Sequence, residues 1–296
     1  MKILLTGASG LLGRPLYKEL CANGTAFNVI GTAFSRSAGK LKKLDITDSA
    51  AVNTFVTDFS PDMIIHAAAE RRPDEVKADP EKAARVNVGA TVTLAAAAAG
   101  VGASLLYIST NYVFDGTAPP YYPDSETNPL NTYGEMKLAG EKAVVGKCPD
   151  AFILRIPILY GPCEYLGESA VTLIAEEISA DKPSFFDNNL VRFPTHSEDI
   201  AKIIAGLCRR LRRGERLSGI FQCSSEKPYT KYGMAKIMAK IMGINPELIK
   251  AAEADTNAAP RPQNAKLDTG RLEKFNLNNY RDFIPAVEKI IRQNGR

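Results

Sequence analysis

Leu4-Leu5-Thr6-Gly7-Ala8-Ser9-Gly10-Leu11-Leu12-Gly13 is the stretch that decides the fold: a short apolar strand beginning at Lys2 runs straight into three glycines spaced three apart. Without a Cβ, Gly7 can take a backbone conformation closed to other residues, Gly10 lets the main chain approach a pyrophosphate, and Gly13 lets the following helix lie close on the strand. The backbone N–H groups of Ser9 to Leu12 then open a helix, where unpaired donors and the helix dipole both favour negative charge. A triple-glycine turn alone is a weak signal, because ordinary turns produce it too. Its place after a strand and before an apolar helix (Leu11, Leu12, Leu16, Leu20) is the context a dinucleotide site requires.

Length and composition bound what surrounds this turn. A chain of 296 residues, 45% hydrophobic and 24% charged, suffices for one large α/β domain or a main domain with a smaller appendage. The net charge of +4 is a small difference between 37 basic and 33 acidic side chains. The pairs Arg209-Arg210 and Arg212-Arg213 read as the solvated end of a helix, so no nucleic-acid partner is expected. Five cysteines (Cys21, Cys148, Cys163, Cys208, Cys223) are odd in number, far apart and never in a CxxC pair. Neither a disulfide framework nor a zinc site is indicated, and a reducing, cytoplasmic location is expected. No charged n-region precedes an apolar h-region, and the run of alanines after Leu94 is far short of a membrane span, so no membrane association is expected. With two histidines, metal catalysis is not expected.

Asn23-Gly24 closes the first helix, and Phe27 to Ala33 reads as a second strand whose far end decides the cofactor. Folds that prefer NAD place an acidic residue there, on the ribose 2'-hydroxyl, whereas an arginine can meet a 2'-phosphate. Here the strand runs into Phe34-Ser35-Arg36, with Lys40, Lys42 and Lys43 behind and no carboxylate before Asp45. This favours NADP(H); the plainer alternative makes Arg36 a solvated loop residue. Asp45-Ile46 ends a short third strand and could sit beside the adenine. Met63 to His66 is a continuous apolar run of the kind found in a parallel strand covered on both faces. Ala67-Ala68-Ala69 beyond it would let a cofactor pass close to the backbone, and Arg71 and Arg72 sit where an anion could be held. His66 reads as a packed strand-end histidine, and Asn87, amid alanines in a helix from Pro80 to Ala99, as a tie to a loop or as nothing.

A fifth strand, Ser104 to Ser109, delivers Ser109-Thr110 to the end of the sheet, where ligands bind in open α/β folds. A helix beginning near Asn131 puts Tyr133 and Lys137 at i and i+4 on one face. A tyrosine with an ordinary pKa of about 10 can exchange a proton with a carbonyl or alcohol oxygen only if its anion is stabilised, which a neighbouring lysine does. Lys137 can also hold a nicotinamide ribose, and the Thr110 hydroxyl can hydrogen-bond the reacting oxygen. Ala151 to Arg155 reads as strand six, leaving the sheet at Ile156-Pro157-Ile158-Leu159. Helical stretches follow near 169–180, 198–213 and 230–242, with a short strand at 219–223. The expected architecture is an α/β, Rossmann-type doubly wound parallel sheet. Residues 1–160 form an NADP-binding domain with returning segments, and residues 161–296 mainly a smaller substrate lobe.

The glycine turn, Ser109-Thr110, and Tyr133 with Lys137 resemble the extended short-chain dehydrogenase/reductases. Within them, Tyr112-Val113-Phe114-Asp115-Gly116 and Arg261-Pro262-x-Asn264-x-x-Leu267 look like the dTDP-4-dehydrorhamnose reductase group. Further segments are similar to the regulatory β subunits of methionine adenosyltransferase, members of that group that bind NADP and partner a catalytic subunit. They are 69–74, 155–161, 168–172 and 192–196. The resemblance implies cofactor contacts from Gly7, Ser9, Gly10, Leu11, Leu12, Gly13, Phe34, Ser35, Arg36, Asp45, Ile46, Ala67, Arg71, Tyr133, Lys137 and Leu159. It also implies Thr110, Tyr133 and Lys137 as the reactive groups, and as partner either a nucleotide sugar or a methionine adenosyltransferase catalytic subunit. Two departures stand out. Asn111 replaces an aspartate usual in these relatives, and Val287 to Arg296 is basic and helical-looking, unlike the apolar tail with which the β subunits engage their partner.

Overall fold

The computed structural model describes residues 1–22, 27–36, 39–253 and 257–295. Asn23-Gly24, the expected stop of the first helix, and Arg296 lie outside the described residues. Along the chain run β1 (Lys2–Thr6), α1 (Gly13–Ala22), β2 (Asn28–Ala33), β3 (Lys42–Lys43), α2 (Ser49–Phe59), β4 (Met63–His66), α3 (Pro73–Ala78), α4 (Pro80–Ala84), α5 (Ala90–Val101), β5 (Ser104–Thr110) and α6 (Thr132–Lys147). After them come β6 (Phe152–Ile156), β7 (Leu159–Tyr160), α7 (Leu173–Glu177), β8 (Ser184–Asp187), β9 (Thr195–His196), α8 (Ser197–Arg212), β10 (Gly219–Gln222), α9 (Lys231–Ile241), β11 (Ile249–Ala252), α10 (Gly270–Glu273) and α11 (Phe283–Gln293).

Seven strands form one sheet in the order β10-β6-β5-β4-β1-β2-β3, and every pair is parallel. Ile3 of β1 lies beside Val29 on one side and Met63 on the other. Because side chains alternate across a strand, both faces of these apolar runs must be covered. Ile3, Leu5, Met63, Ile65, Leu106 and Leu154 face a core closed by Leu16 and Leu20 of α1 and by Ile200, Ile204 and Leu207 of α8. Their neighbours Leu4, Ile64, Leu105, Tyr107 and Ile153 face the opposite core, closed by Val52, Val56, Leu94 and Val144. From β1 the chain winds outward through β2 and β3, then returns to β4 and winds the other way. The boundary between β1 and β4 is therefore the switch point where helices diverge and a crevice opens.

Several local expectations shift. The third strand stops at Lys43, two residues before Asp45-Ile46, because the Asp45 carboxylate accepts from the Thr47 N–H (2.9 Å) and hydroxyl (2.7 Å) and turns the chain. The helix expected over 169–180 shrinks to Leu173–Glu177. There the Ser169 hydroxyl takes the Val171 N–H and the Thr172 hydroxyl bonds the Leu166 carbonyl, local bonds that compete with a helical ladder. Between α4 and α5 the turn Arg85–Gly89 is a π-helix that carries Asn87 inward. The Asn87 amide donates to the Glu70 carbonyl at 2.9 Å and accepts the Glu70 N–H at 2.8 Å, so the residue is a tie between helix and loop. The resulting helical run Pro80–Val101 is long and apolar enough to cross a membrane by length and composition, yet its Asn87 and Thr91 are bound to partners inside the fold.

A further core lies beyond β6. Val171 and Ile174, Phe186 of β8, Met234 and Met238 of α9 and Ile249 of β11 meet Phe283, Val287, Ile290 and Ile291 of α11. The four α11 residues are buried while Glu288 and Arg292 pair outside at 2.7 Å, so the helix spends its apolar face on its own chain. Ile291→Ala is expected to cost about 2–5 kcal/mol of unfolding free energy. Deletion from Pro285 onward is expected to lower the melting temperature of the isolated protein, as calorimetry would read; a truncation there that melts like the full chain overturns this packing.

Candidate functional site

The glycine turn is built from backbone contacts. Gly7 has φ of 71°, and a Cβ on it would lie 2.7 Å from the Ala68 nitrogen. A Cβ on Gly13 would collide with the Gly7 carbonyl, so α1 can rest on the turn only as glycine. The Gly10 N–H is spent on that same carbonyl at 3.0 Å, so it is not among the donors free to face an anion. Off this turn opens a cleft of about 1210 Å³ along the carboxyl ends of the strands. It exceeds the roughly 300–1,000 Å³ of ordinary small-molecule sites, as an extended ligand requires. Every residue named from the sequence as a cofactor contact or reactive group lines it, while Arg72, the other candidate anion holder, does not. Gly7, Ser9, Gly10, Leu11, Leu12 and Gly13 come from the turn, Phe34, Ser35 and Arg36 from beyond β2, and Asp45 and Ile46 from beyond β3. Ala67 and Arg71 follow β4, Thr110 ends β5, Tyr133 and Lys137 stand on α6, and Leu159 opens β7.

At one end, α6 brings the reactive groups together. Asn131 caps the helix by accepting the Gly134 N–H at 2.9 Å, and its amide donates to the Pro260 carbonyl at 2.6 Å. Tyr133, Lys137 and Glu141 then recur every four residues on one face. Burial pushes the Tyr133 phenol up to about 12, opposed by the nearby Thr110 hydroxyl and by the Arg71 charge. Burial also pushes the Lys137 ammonium down to about 7, partly countered by Glu141. The Lys137 Nζ rests 3.9 Å from the centroid of the Tyr107 ring, so its near partner is that ring's face. Beneath it Arg155 grips both Glu141 oxygens (3.0 and 2.8 Å), and Oε1 also accepts from the Ser109 hydroxyl. His66 is a neutral packing residue: its nitrogens meet the hydroxyls of Thr6 (2.8 Å) and Thr91 (3.0 Å), and burial, then the Lys137 charge, hold it down at about 3. Asn111 donates its amide to the Ala265 carbonyl at 3.1 Å, a bond an ionised aspartate could not make.

The other end is a network the sequence reading did not assemble. Arg36 reaches Glu164 at 2.6 Å and Glu168 at 3.2 Å, so it is neither free nor merely solvated. Arg14 takes both Glu168 oxygens (2.7 and 2.6 Å), and Arg71 donates to the Glu168 carbonyl. Despite its burial, Glu168 is held down at about 2, chiefly by Arg14. Nearer Tyr133, Arg261 pairs with Asp74 at 2.5 Å, Asp74 accepts the Ala259 N–H at 2.8 Å, and Lys77 donates to the Asn257 carbonyl at 2.8 Å. These partners stand 97 to 187 positions apart in the chain, so spacing gives no signal for them. Among the described residues, no three His, Cys, Asp or Glu side chains are placed to hold a metal.

Burying Lys137 has a stability consequence. Its pKa falls from 10.5 in the unfolded chain to about 7, so between those values the unfolded state holds the extra proton and stability rises with pH. Lys137→Met removes the buried charge and should stabilise the protein by on the order of a few kcal/mol below pH 7, a gain that vanishes as pH approaches 10.5. Melting curves from pH 6 to 10 check this, and a variant less stable than its parent at pH 6 overturns it.

Comparison with known proteins places this geometry in a family. A family described as the RmlD substrate binding domain matches residues 1–295. Methionine adenosyltransferase 2 subunit beta of Xenopus tropicalis is 43% identical over 292 residues, covering 98% of this chain and 87% of its own length. A dTDP-4-dehydrorhamnose reductase from Clostridium acetobutylicum superposes with a TM-score of 0.83 at 30% identity over the full length of both chains. The dTDP-4-dehydrorhamnose reductase of Bacillus anthracis, solved in complex with NADP, superposes with a TM-score of 0.81 at 25% identity over 99% of each. The chain belongs to the RmlD substrate binding domain family, and its seven-stranded parallel sheet is the Rossmann-type fold of those structures.

Proposed function

We propose that the protein binds NADP(H) and uses it to reduce the 4-keto group of a nucleotide-linked deoxysugar. The observation that carries this reading is that Thr110, Tyr133 and Lys137 converge at one end of a single cleft whose other end carries Arg36 in place of a strand-end carboxylate. The glycine cradle, which a Cβ at Gly7 or Gly13 would fill, fits a pyrophosphate, and Arg36 fits a 2'-phosphate. When bound, NADPH supplies the hydride. Tyr133, protonated at neutral pH, donates its phenolic proton to the oxygen that the reduction makes basic. Thr110, which lines the cleft beside Tyr133, polarises the same oxygen, and Lys137 stands one turn away to stabilise the phenolate left behind.

A second reading has its own support. The 43% identity to a methionine adenosyltransferase β subunit favours an NADP-binding regulator that docks on a catalytic subunit. Within α11, Val287, Ile290 and Ile291 are buried in their own lobe, so these apolar residues are not offered to a partner.

NADPH oxidation with a dTDP-4-keto-6-deoxysugar, run beside a pull-down with a methionine adenosyltransferase catalytic subunit, separates the two. Turnover without capture is expected; capture without turnover puts the regulator first. With turnover in hand, Tyr133→Phe should lose about 10²- to 10⁴-fold in rate while still binding cofactor. A variant that retains the parental rate removes Tyr133 from the mechanism.

A further inference from the structure

We propose that Glu164 sets how strongly the cleft prefers NADP(H) over NAD(H), by occupying Arg36 until a 2'-phosphate displaces it. The inference rests on the NADP(H) reading above. The segment from Pro162 to Glu168 touches three walls of the cleft. Arg14 beside the glycine turn holds the Pro162 carbonyl (3.3 Å) and the Glu168 carboxylate, Arg36 beyond β2 holds Glu164, and Arg71 and Arg72 beyond β4 hold the carbonyls of Glu168 and Gly167.

Its two carboxylates differ in how firmly they are fixed. The Glu168 side chain is 3% exposed and accepts from Arg14, Arg36 and the Glu164 N–H (3.0 Å), so it is a fixed part of the wall. Glu164 is 50% exposed, and its contacts are Arg36, 44% exposed, at 2.6 Å and Arg14 at 3.8 Å. A half-exposed pair is screened by solvent and exchanges easily. A phosphate monoester brings a charge of about −1.5 to −2 and three acceptor oxygens to the same guanidinium, and outcompetes one carboxylate. A 2'-hydroxyl brings no charge, so with NAD(H) Glu164 stays on Arg36. Glu164 thus opposes NADP(H) alone, and the parent protein discriminates less sharply than Arg36 by itself allows.

Titration calorimetry with NADPH and NADH on the full chain, Glu164→Gln, Arg36→Ala and the double variant tests this. Glu164→Gln should tighten NADPH by roughly two- to fivefold and leave NADH unchanged, and the gain should vanish when Arg36 is absent and shrink in high salt. If the parent prefers NADPH, Arg36→Ala abolishes the preference, and yet Glu164→Gln leaves NADPH affinity unchanged or shifts both cofactors alike, the competition is overturned while the cofactor reading stands. If the parent binds both equally and Arg36→Ala alters neither, the cofactor reading fails and takes this inference with it.

Discussion

The backbone of Gly13 lies against the Gly7 carbonyl, and Gly7 in turn lies against Ala68 beyond β4. Three main chains therefore meet without side chains between them, and much of the architecture depends on that approach. It seats α1 on β1, which sends Leu16 and Leu20 into the core shared with α8. It also brings the ends of β1 and β4 together where the winding of the sheet reverses, so the crevice opens at the turn. Core and cleft are thus set by the same atoms. A side chain at Gly13 would push α1 off the turn, and one at Gly7 would push the turn off Ala68.

Past the turn, the cleft floor works through burial. The Tyr133 phenol is driven up and the Lys137 ammonium down, so the two move in opposite directions from ordinary values that nearly coincide. Here the phenol keeps its proton at neutral pH, while the amine stands near balance and responds to whatever charge arrives beside it. The Arg155–Glu141 pair beneath is nearly neutral as a unit and bonded on both sides, which lets it hold Lys137 from below without adding a net charge to the floor.

What was legible in the sequence is what is local. Strand, triple glycine and apolar helix sit within one short run, and Tyr133 and Lys137 lie one turn apart, so periodicity alone places them. The acid-free end of β2 is equally local, because only the residues directly after the strand decide it. Arg36 shows the limit: its position beside the cleft followed from its neighbours, while its occupation by Glu164 and Glu168 depends on a chain segment 128 and 132 positions away. The ring beneath Lys137 is hidden from the sequence for a related reason. Helical spacing puts the lysine on the tyrosine's face, but the ring it rests on, Tyr107, belongs to β5 and is delivered by the sheet. The shortened α7 has another cause, since Ser169 and Thr172 bond their own backbone and composition does not reveal when hydroxyls will do so.

The two functional readings share the cofactor half of the cleft and part at its mouth. There the segment 257–262 is held to α3 by Arg261 on Asp74 and by Lys77 on Asn257, and to α6 by Asn131 on Pro260. A reductase must admit a nucleotide sugar past this segment, whereas a regulator need not. The closure is polar and partly wet: Arg261 and Asp74 are 23% and 55% exposed, and pairs of that kind hold by about 1 kcal/mol or less. An anionic diphosphate that reached Arg261 would compete with Asp74, and a displaced Asp74, 55% exposed, would be left in solvent instead of stranded in a core. A lid sealed by apolar packing, like the face α11 buries in its lobe, would resist such exchange far more strongly. Here the segment at the cleft wall is instead held by a polar, half-wet contact of the kind that exchanges readily with a charged ligand.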